Sequence, residues 1–304
     1  MYYDSHLTHE GKLLSEVNLL VKAVLGLVDY QDLHIANLEG IYLAILKYLD
    51  SNKNTISLRT HAKTISVFIE WCLSIPQTID RIGYINLENL RQFVMPYREE
   101  IVKENIKLQR QEVNNRLSLT SYIDSLICHY ARLLFIRIDL SYKTSYPISI
   151  NIDDFYAHFS LLKQRISNGD TCFKNLQGYA WALEQGVEGG YHCHLLLIYD
   201  GAKHQNDYYL AQSVGEAWTQ ITSQTGKFFN CNTTEHKQYF QNTGRLGIGM
   251  IHRQNSLEVK NALDTASYLV NPEKTEQFLM VRPNGMRTFG KGQFNVGWRR
   301  GIAS

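Results

Sequence analysis

One apolar run constrains this chain more than any other stretch: Gly190-Tyr191-His192-Cys193-His194-Leu195-Leu196-Leu197-Ile198-Tyr199-Asp200-Gly201. It is short, rich in aliphatic and aromatic residues, and closed by an Asp-Gly turn signal, which predicts a buried β-strand rather than a helix. Residues two apart in a strand project from the same face. His192, His194, Leu196 and Ile198 therefore share one face, and Tyr191, Cys193, Leu195, Leu197 and Tyr199 share the other. Two neighbouring imidazoles are either hydrogen-bonded core residues or two ligands of one divalent ion. In a chain with 11 histidines the spacing alone does not decide between them.

The residues before the run favour the ion. Gly178-Tyr179-Ala180-Trp181-Ala182-Leu183-Glu184-Gln185 reads as a second strand, and Gly186-Val187-Glu188-Gly189-Gly190 as a tight connection, so the two segments predict an antiparallel hairpin. With the turn centred on Glu188, Glu184 stands opposite His192 and faces the same side; a slip of one residue would carry the whole set to the other face. Ala180 and Ala182 leave room there. Two imidazoles and a carboxylate around an open space make the donor set of a catalytic metal site rather than a closed structural one. A solvated hairpin carboxylate is the alternative for Glu184.

Composition sets limits rather than a function. The 304 residues are 44% hydrophobic and 20% charged, enough to bury one large core or two smaller ones. A net charge of +2 neither demands nor excludes nucleic acid. From Gln277 onward there is no acidic residue, while Arg282, Arg287, Lys291, Arg299 and Arg300 interleave with Phe289, Phe294 and Trp298. Such a mixture suits a surface that tracks a phosphate backbone and stacks on bases, or a solvated tail. Five cysteines without a CxxC pair predict reduced thiols. With no secretory leader and no apolar run of membrane-spanning length, the expected location is the cytoplasm.

Leu13–Val28, Leu38–Leu49 and Leu58–Leu73 carry apolar residues at helical spacing. Arg98–Arg116 alternates charge and reads as a solvated helix or a connector. A boundary there separates an all-helical N-terminal region, residues 1–116, from residues 117–304. The second region reads as helix (Leu119–Ala131), strand (Leu133–Tyr142), helix (Asp153–Ile166), the hairpin, helix (Asp207–Ile221), strand (Leu246–His252), helix (Ser256–Val270) and strand (Gln277–Arg282). The expected fold is α+β, a mostly antiparallel sheet of about five strands with flanking helices on one side. In its first strand Phe135, Arg137, Asp139 and Ser141 alternate with Ile136, Ile138 and Leu140. The charged face is expected to line the wet side of the sheet.

Helix Ser256–Val270 buries a stripe from Val259 to Val270 and turns Tyr268 to its polar side, beside Asn261 and Asp264, where packing does not require it. Pro272 ends the helix, and Lys274 follows close enough to supply positive charge. No second tyrosine stands one turn from Tyr268.

His192-Cys193-His194, Glu184 on the adjoining strand and Tyr268 on a later helix together resemble the HUH endonuclease superfamily of rolling-circle replication initiators. Arg137-Ile138-Asp139-Leu140-Ser141-Tyr142, the Tyr191–Leu197 strand, Ala266-Ser267-Tyr268-Leu269 and Arg287-Thr288-Phe289-Gly290 are similar, more narrowly, to inovirus-type initiators of filamentous phages and integrated elements. The resemblance covers Ala131 to Lys291. It implies an HUH-type nuclease domain over residues 117–304, with Mg²⁺ or Mn²⁺ held by Glu184, His192 and His194. It further implies attack by Tyr268 on single-stranded DNA at an origin, leaving a 5′-phosphotyrosine and a free 3′-OH. Lys274 is expected to assist the phenolate, although the family pattern often has lysine three residues after the tyrosine, where this chain has Asn271. Arg137, Arg287 and Lys291 are the expected DNA contacts, and a host helicase and polymerase the expected partners. The N-terminal helices, which gain nothing from the resemblance, are expected to read the origin, dock a partner or cover the sheet. A plasmid-mobilisation relaxase, a transposase and a non-catalytic DNA-binding regulator on the same scaffold are the alternatives.

Overall fold

The apolar run forms a strand, Gly190–Asp200, paired antiparallel with Leu176–Gly186 in the expected register: Glu184 lies opposite His192, and Ala182 opposite His194. Gly190 closes the turn at φ 62°, a left-handed conformation that glycine adopts without strain. The computed structural model describes residues 9–28, 37–76, 79–143, 150–271 and 277–294.

In chain order the elements are α1 (Glu10–Val24), α2 (Leu38–Asn52), β1 (Arg59–His61), α3 (Lys63–Ser74), α4 (Leu87–Val94), α5 (Arg98–His129), β2 (Arg132–Tyr142), α6 (Ile152–Asn168), β3 (Leu176–Gly186), β4 (Gly190–Asp200), α7 (Asp207–Ile221), β5 (Gly226–Asn230), α8 (Thr234–Asn242), β6 (Gly249–His252), α9 (Ser256–Ser267), β7 (Val281–Pro283) and β8 (Phe289–Lys291). The fold is α+β, with a helical N-terminal region. The main sheet runs β5-β2-β4-β3-β8, and β6 takes the other half of the outer edge of β2. Every pairing between these six strands is antiparallel.

Several elements differ from the sequence expectation, among them Arg59–His61, expected as helix and found as β1 before α3. β5 and β8 bring the sheet to six strands rather than about five; each is too short to show a period. α8 buries none of its side chains, so it has no apolar stripe to read. The last expected strand forms as Val281–Pro283 rather than Gln277–Arg282, and it leaves the main sheet to pair with β1.

Helices cover both faces of the sheet, not one. Leu134, Ile136, Ile138 and Leu140 of β2 and Tyr191, Cys193, Leu195 and Leu197 of β4 pack with α6, α7 and the N-terminal helices. Leu133, Phe135, Ala180, Ala182, Leu196 and Ile198 pack on the other side with α5 and α9. Away from its charged residues β2 is apolar on both faces, and each must be covered; burying one such Leu, Ile or Phe contributes about 1.5–3 kcal/mol. α5 is one unbroken helix of 32 residues, so position 116 lies within it. Its Ile101 joins the N-terminal helices, while Leu119, Ile123 and Leu126 lie on the opposite face of the sheet.

α1 is bound closely to the hairpin. Gln185 donates from Nε2 to the Gly11 carbonyl at 2.7 Å and accepts the Met280 N–H at 2.9 Å. A Cβ on Gly11 would meet the Tyr191 nitrogen at 3.2 Å, so glycine permits this approach. No helix among the described residues is long and apolar enough to cross a membrane.

Candidate metal centre and its surroundings

The β3–β4 register brings three candidate ligands together. The Nε2 atoms of His192 and His194 lie 3.4 and 3.2 Å from Glu184 Oε2. One donor atom from each residue lies within 4.8 Å of the others, and all three side chains are buried or nearly so. Glu184, His192 and His194 thus form a cluster able to hold a metal ion.

The remaining ring nitrogens are engaged by oxygen acceptors. His192 Nδ1 lies 3.1 Å from the Gly190 carbonyl, and His194 Nδ1 lies 2.6 Å from Asp139 Oδ1. A ring in the neutral form therefore donates from Nδ1 and turns an Nε2 lone pair toward Glu184. Outer acceptors orient metal-binding imidazoles in this way, fixing the tautomer and raising the basicity of the ligating nitrogen. Two lone pairs and a carboxylate at this separation are compatible only with a cation, a proton or a metal ion, among them. The local pKa directions reflect the same demand. Burial penalises the His194 imidazolium, but Asp139 and Glu184 outweigh it and raise the pKa. Burial likewise opposes ionisation of Asp139, yet His194 and Arg137 hold its carboxyl below the usual range.

Asp139 is a residue of this cluster that the sequence alone does not assign. It stands opposite His194 in the β2–β4 ladder. Its place on the charged face of the first strand was the available signal; its pairing required knowing that β2 neighbours β4.

Arg137 lies on the same face, with Nε 3.4 Å from Asp139 Oδ1 and Cζ 5.2 Å from the centre of the Tyr268 ring. Asn232 fixes the backbone of β2 at this point. Fully buried, it fills the gap between β5 and β6 on the edge of β2: Oδ1 accepts the Arg137 N–H at 3.0 Å, and Nδ2 lies 3.2 Å from the Phe135 carbonyl and 2.9 Å from Asp207 Oδ2.

Tyr268 caps α9 and opens a 3₁₀ turn through Val270. Leu269 and Val270 are buried against the site face of the sheet, while Tyr268 is 50% exposed. It borders a cleft of about 550 Å³ together with Arg137, Asp139, Phe229, His236 and Tyr239. Glu184 borders a smaller cavity on its other side with Glu104, Glu112 and Asn271. Burial raises the pKa of Glu112; Asn115 opposes the shift and Glu184 adds to it.

Residues 98–292 match the YagK/YfjJ C-terminal domain family. The chain belongs to this family. The YagK/YfjJ domain begins at the first residue of α5, takes in every site residue named above, and leaves α1 to α4 outside. No curated protein and no solved structure matches the chain.

Within the YagK/YfjJ domain the expected basic contacts are dispersed. Arg137 is at the site. The Lys291 ammonium sits 4.7 Å from the centre of the Tyr122 ring of α5, and burial lowers its pKa. Arg287 is exposed and lies near Lys163 of α6, whose pKa falls through burial and then through this neighbour. Since α5 and α6 cover opposite faces, Arg287 and Lys291 do not form one stripe. Lys274, Trp298, Arg299 and Arg300 lie outside the described residues.

Proposed function

We propose that this YagK/YfjJ-family chain is a replication initiator that nicks single-stranded DNA at an origin, with Tyr268 as nucleophile and Glu184, His192 and His194 as metal ligands. The reading is supported by one arrangement above all. Three convergent ligands with oriented imidazoles share a face of the sheet with a half-exposed tyrosine, and the Arg137–Asp139 pair joins the two. A divalent ion held there supplies Lewis-acid polarisation of the scissile phosphate. Two imidazoles with one carboxylate suit Mn²⁺ better than Mg²⁺, which prefers all-oxygen sites.

The step is a transesterification. The Tyr268 oxygen bonds to phosphorus as the bond to the 3′-oxygen breaks. This leaves the 5′-phosphate on Tyr268 and a 3′-OH that a polymerase can extend. The phenol gives up its proton and the departing oxygen gains one, so no redox partner or water is consumed. A phenol is a weak nucleophile at neutral pH, and the Arg137 guanidinium, 5.2 Å from the centre of its ring, offers positive charge beside it. Lys274 is the second candidate for that role, on the family resemblance. One tyrosine supports one nick and one rejoining.

The test is incubation with Mn²⁺ and single-stranded oligonucleotides tiling the DNA around the encoding gene, followed by a denaturing gel. A covalent protein–DNA adduct is expected, lost in Tyr268→Phe and on addition of EDTA. An adduct that persists in Tyr268→Phe would assign another nucleophile. Cleavage that survives chelation would remove the metal from the reaction, and tight binding without an adduct would favour the regulator.

A further inference from the structure

The cleft beside Tyr268 has an unusual wall. α8 buries none of its side chains, and its position depends on polar anchors: the Thr233 side chain caps it by accepting the His236 N–H, and Lys237 pairs with Asp207 at 2.7 Å. Yet this polar helix, with Phe229 of β5, carries a connected aromatic series whose two ends are open to solvent. Phe229 meets His236 edge-on at 5.3 Å between ring centres, His236 meets Phe240 at 5.0 Å, and Phe240 meets Tyr239 at 5.2 Å. Phe229 is 52% exposed and Tyr239 61%. Large aromatic surface held open on a helix that does not need it for packing marks a binding surface.

Its location says what it would bind. Phe229 stands opposite Asp139, and Asp139 opposite His194, so the aromatic wall ends the same transverse row that carries the metal-binding imidazole. At ordinary strand spacing Phe229 is about 10 Å from His194, within reach of a nucleotide neighbouring the bond to be cut. Arg137 and Arg245 both border the cleft and offer positive charge to phosphates on either side. Leu246-Gly247-Ile248 also line the cleft, and this segment lies tightly against α9: a Cβ on Gly247 would fall 2.0 Å from the Asn261 carbonyl oxygen. A volume of about 550 Å³ suits a ring system with its sugar.

We propose that this cleft is a nucleobase pocket, in which an unpaired base next to the scissile phosphate stacks on Phe229 and the Tyr239–Phe240 pair. The inference rests on the single-stranded substrate proposed above and assigns it a contact separable from the chemistry. Stacking on aromatic side chains contributes about 1–3 kcal/mol per base and tolerates any base, because every base has a π-face. It also excludes duplex, whose bases are not free to enter.

The test uses the full chain carrying Tyr268→Phe in EDTA, so that binding is read without cleavage, with single-stranded oligonucleotides bearing 2-aminopurine at successive positions. Quenching at one position next to the cleavage site is expected. Phe229→Ala or Tyr239→Ala should each weaken single-strand binding by about 5- to 150-fold, the equivalent of that stacking energy, and abolish the quenching. Duplex binding should be unchanged, and Tyr239→Trp should retain both signals. Both residues are exposed, and a thermal melt verifies that the variants fold. A double Phe229→Ala, Tyr239→Ala variant that binds single strands with unchanged affinity and quenching would overturn the pocket; if the same double variant with Tyr268 intact still forms the adduct, the tyrosine chemistry stands without it. A wild-type chain that neither binds nor cleaves single strands removes the proposed function and this inference together.

Discussion

The two faces of β4 both bury charge and put it to different ends. On one face the Tyr191 hydroxyl donates to Glu10, which also accepts the Ile152 N–H, both at 2.8 Å, and pairs with Arg59 at 3.2 Å. Arg59 reaches on to Asp153 at 2.6 Å. Burial raises the Glu10 pKa and Arg59 opposes it, with the net direction upward. These charges meet opposite charges or donors within the protein, and they tie α1, β1, α6 and β4 together. One residue along the strand, on the other face, His192 and His194 turn toward a single oxygen of Glu184. That set is complete only with a cation. Burial of charge does not by itself separate structure from chemistry; what separates them is whether the protein supplies the opposite charge, as it does for Arg59 between Glu10 and Asp153 even though Arg59 Nε is buried without a hydrogen-bond partner.

The sharpest break between the two faces should come from His194→Ala. It is expected to lower metal-dependent adduct formation by at least about 10³-fold, as removal of one member of a concerted site does. Its thermal melt should stay near that of the wild type. A large loss of folding instead would place His194 with the structural charges.

Arg59→Ala should behave in the opposite way. Leaving Glu10 buried and unpaired costs about 3–5 kcal/mol, measurable by urea denaturation. The fraction that remains folded should bind Mn²⁺ as the wild type does. Loss of metal binding in that folded fraction would show the two faces to be coupled.

A smaller effect is expected at Asp139, which touches His194 but is not one of the three convergent ligands. Asp139→Asn should weaken Mn²⁺ binding by about 10- to 100-fold, read by isothermal titration, with the fold preserved. Unchanged affinity would reduce Asp139 to a partner of Arg137.

The last effect is in pH. His194 has a raised pKa in the metal-free protein, so below that value a proton must be displaced before the metal can bind. Metal affinity should be flat above it and fall by about tenfold per pH unit below it, for one displaced proton. The metal-free protein should show the reverse slope from this group. Its contribution to stability is present below the unfolded pKa and is lost as pH rises through the folded one. Metal affinity that does not vary with pH would exclude His194 as a ligand.

How much of this was legible depends on sequence separation. Glu184, His192 and His194 span a hairpin, where period-two alternation and turn length set both face and register, and they meet as the pattern predicts. The exposed, polar-side position of Tyr268 followed from the wheel of its helix. Asp139 and His194 are 55 residues apart in sequence, and only the placement of β2 beside β4 brings them to 2.6 Å. Arg137 and Asp139 make one face of β2 look wet in the sequence, but the same face carries Leu133 and Phe135 under α5 and α9. That is why helices stand on both sides of the sheet. The gap in the edge of β2 that Asn232 fills could not be foreseen, since β5 itself left no periodic trace.

The sequence by itself determined the hairpin, the shared face of Glu184, His192 and His194, and the helix that Tyr268 caps, because periodicity and turn chemistry act over neighbouring residues. Only the tertiary structure decided that Asp139 meets His194, that Arg137 spans from Asp139 to Tyr268, and that Phe229 of β5, against the aromatics of α8, ends the same row of the sheet. Those placements depend on which strands become neighbours. That choice is made by burying two apolar faces at once, a property of the whole core and of no single segment.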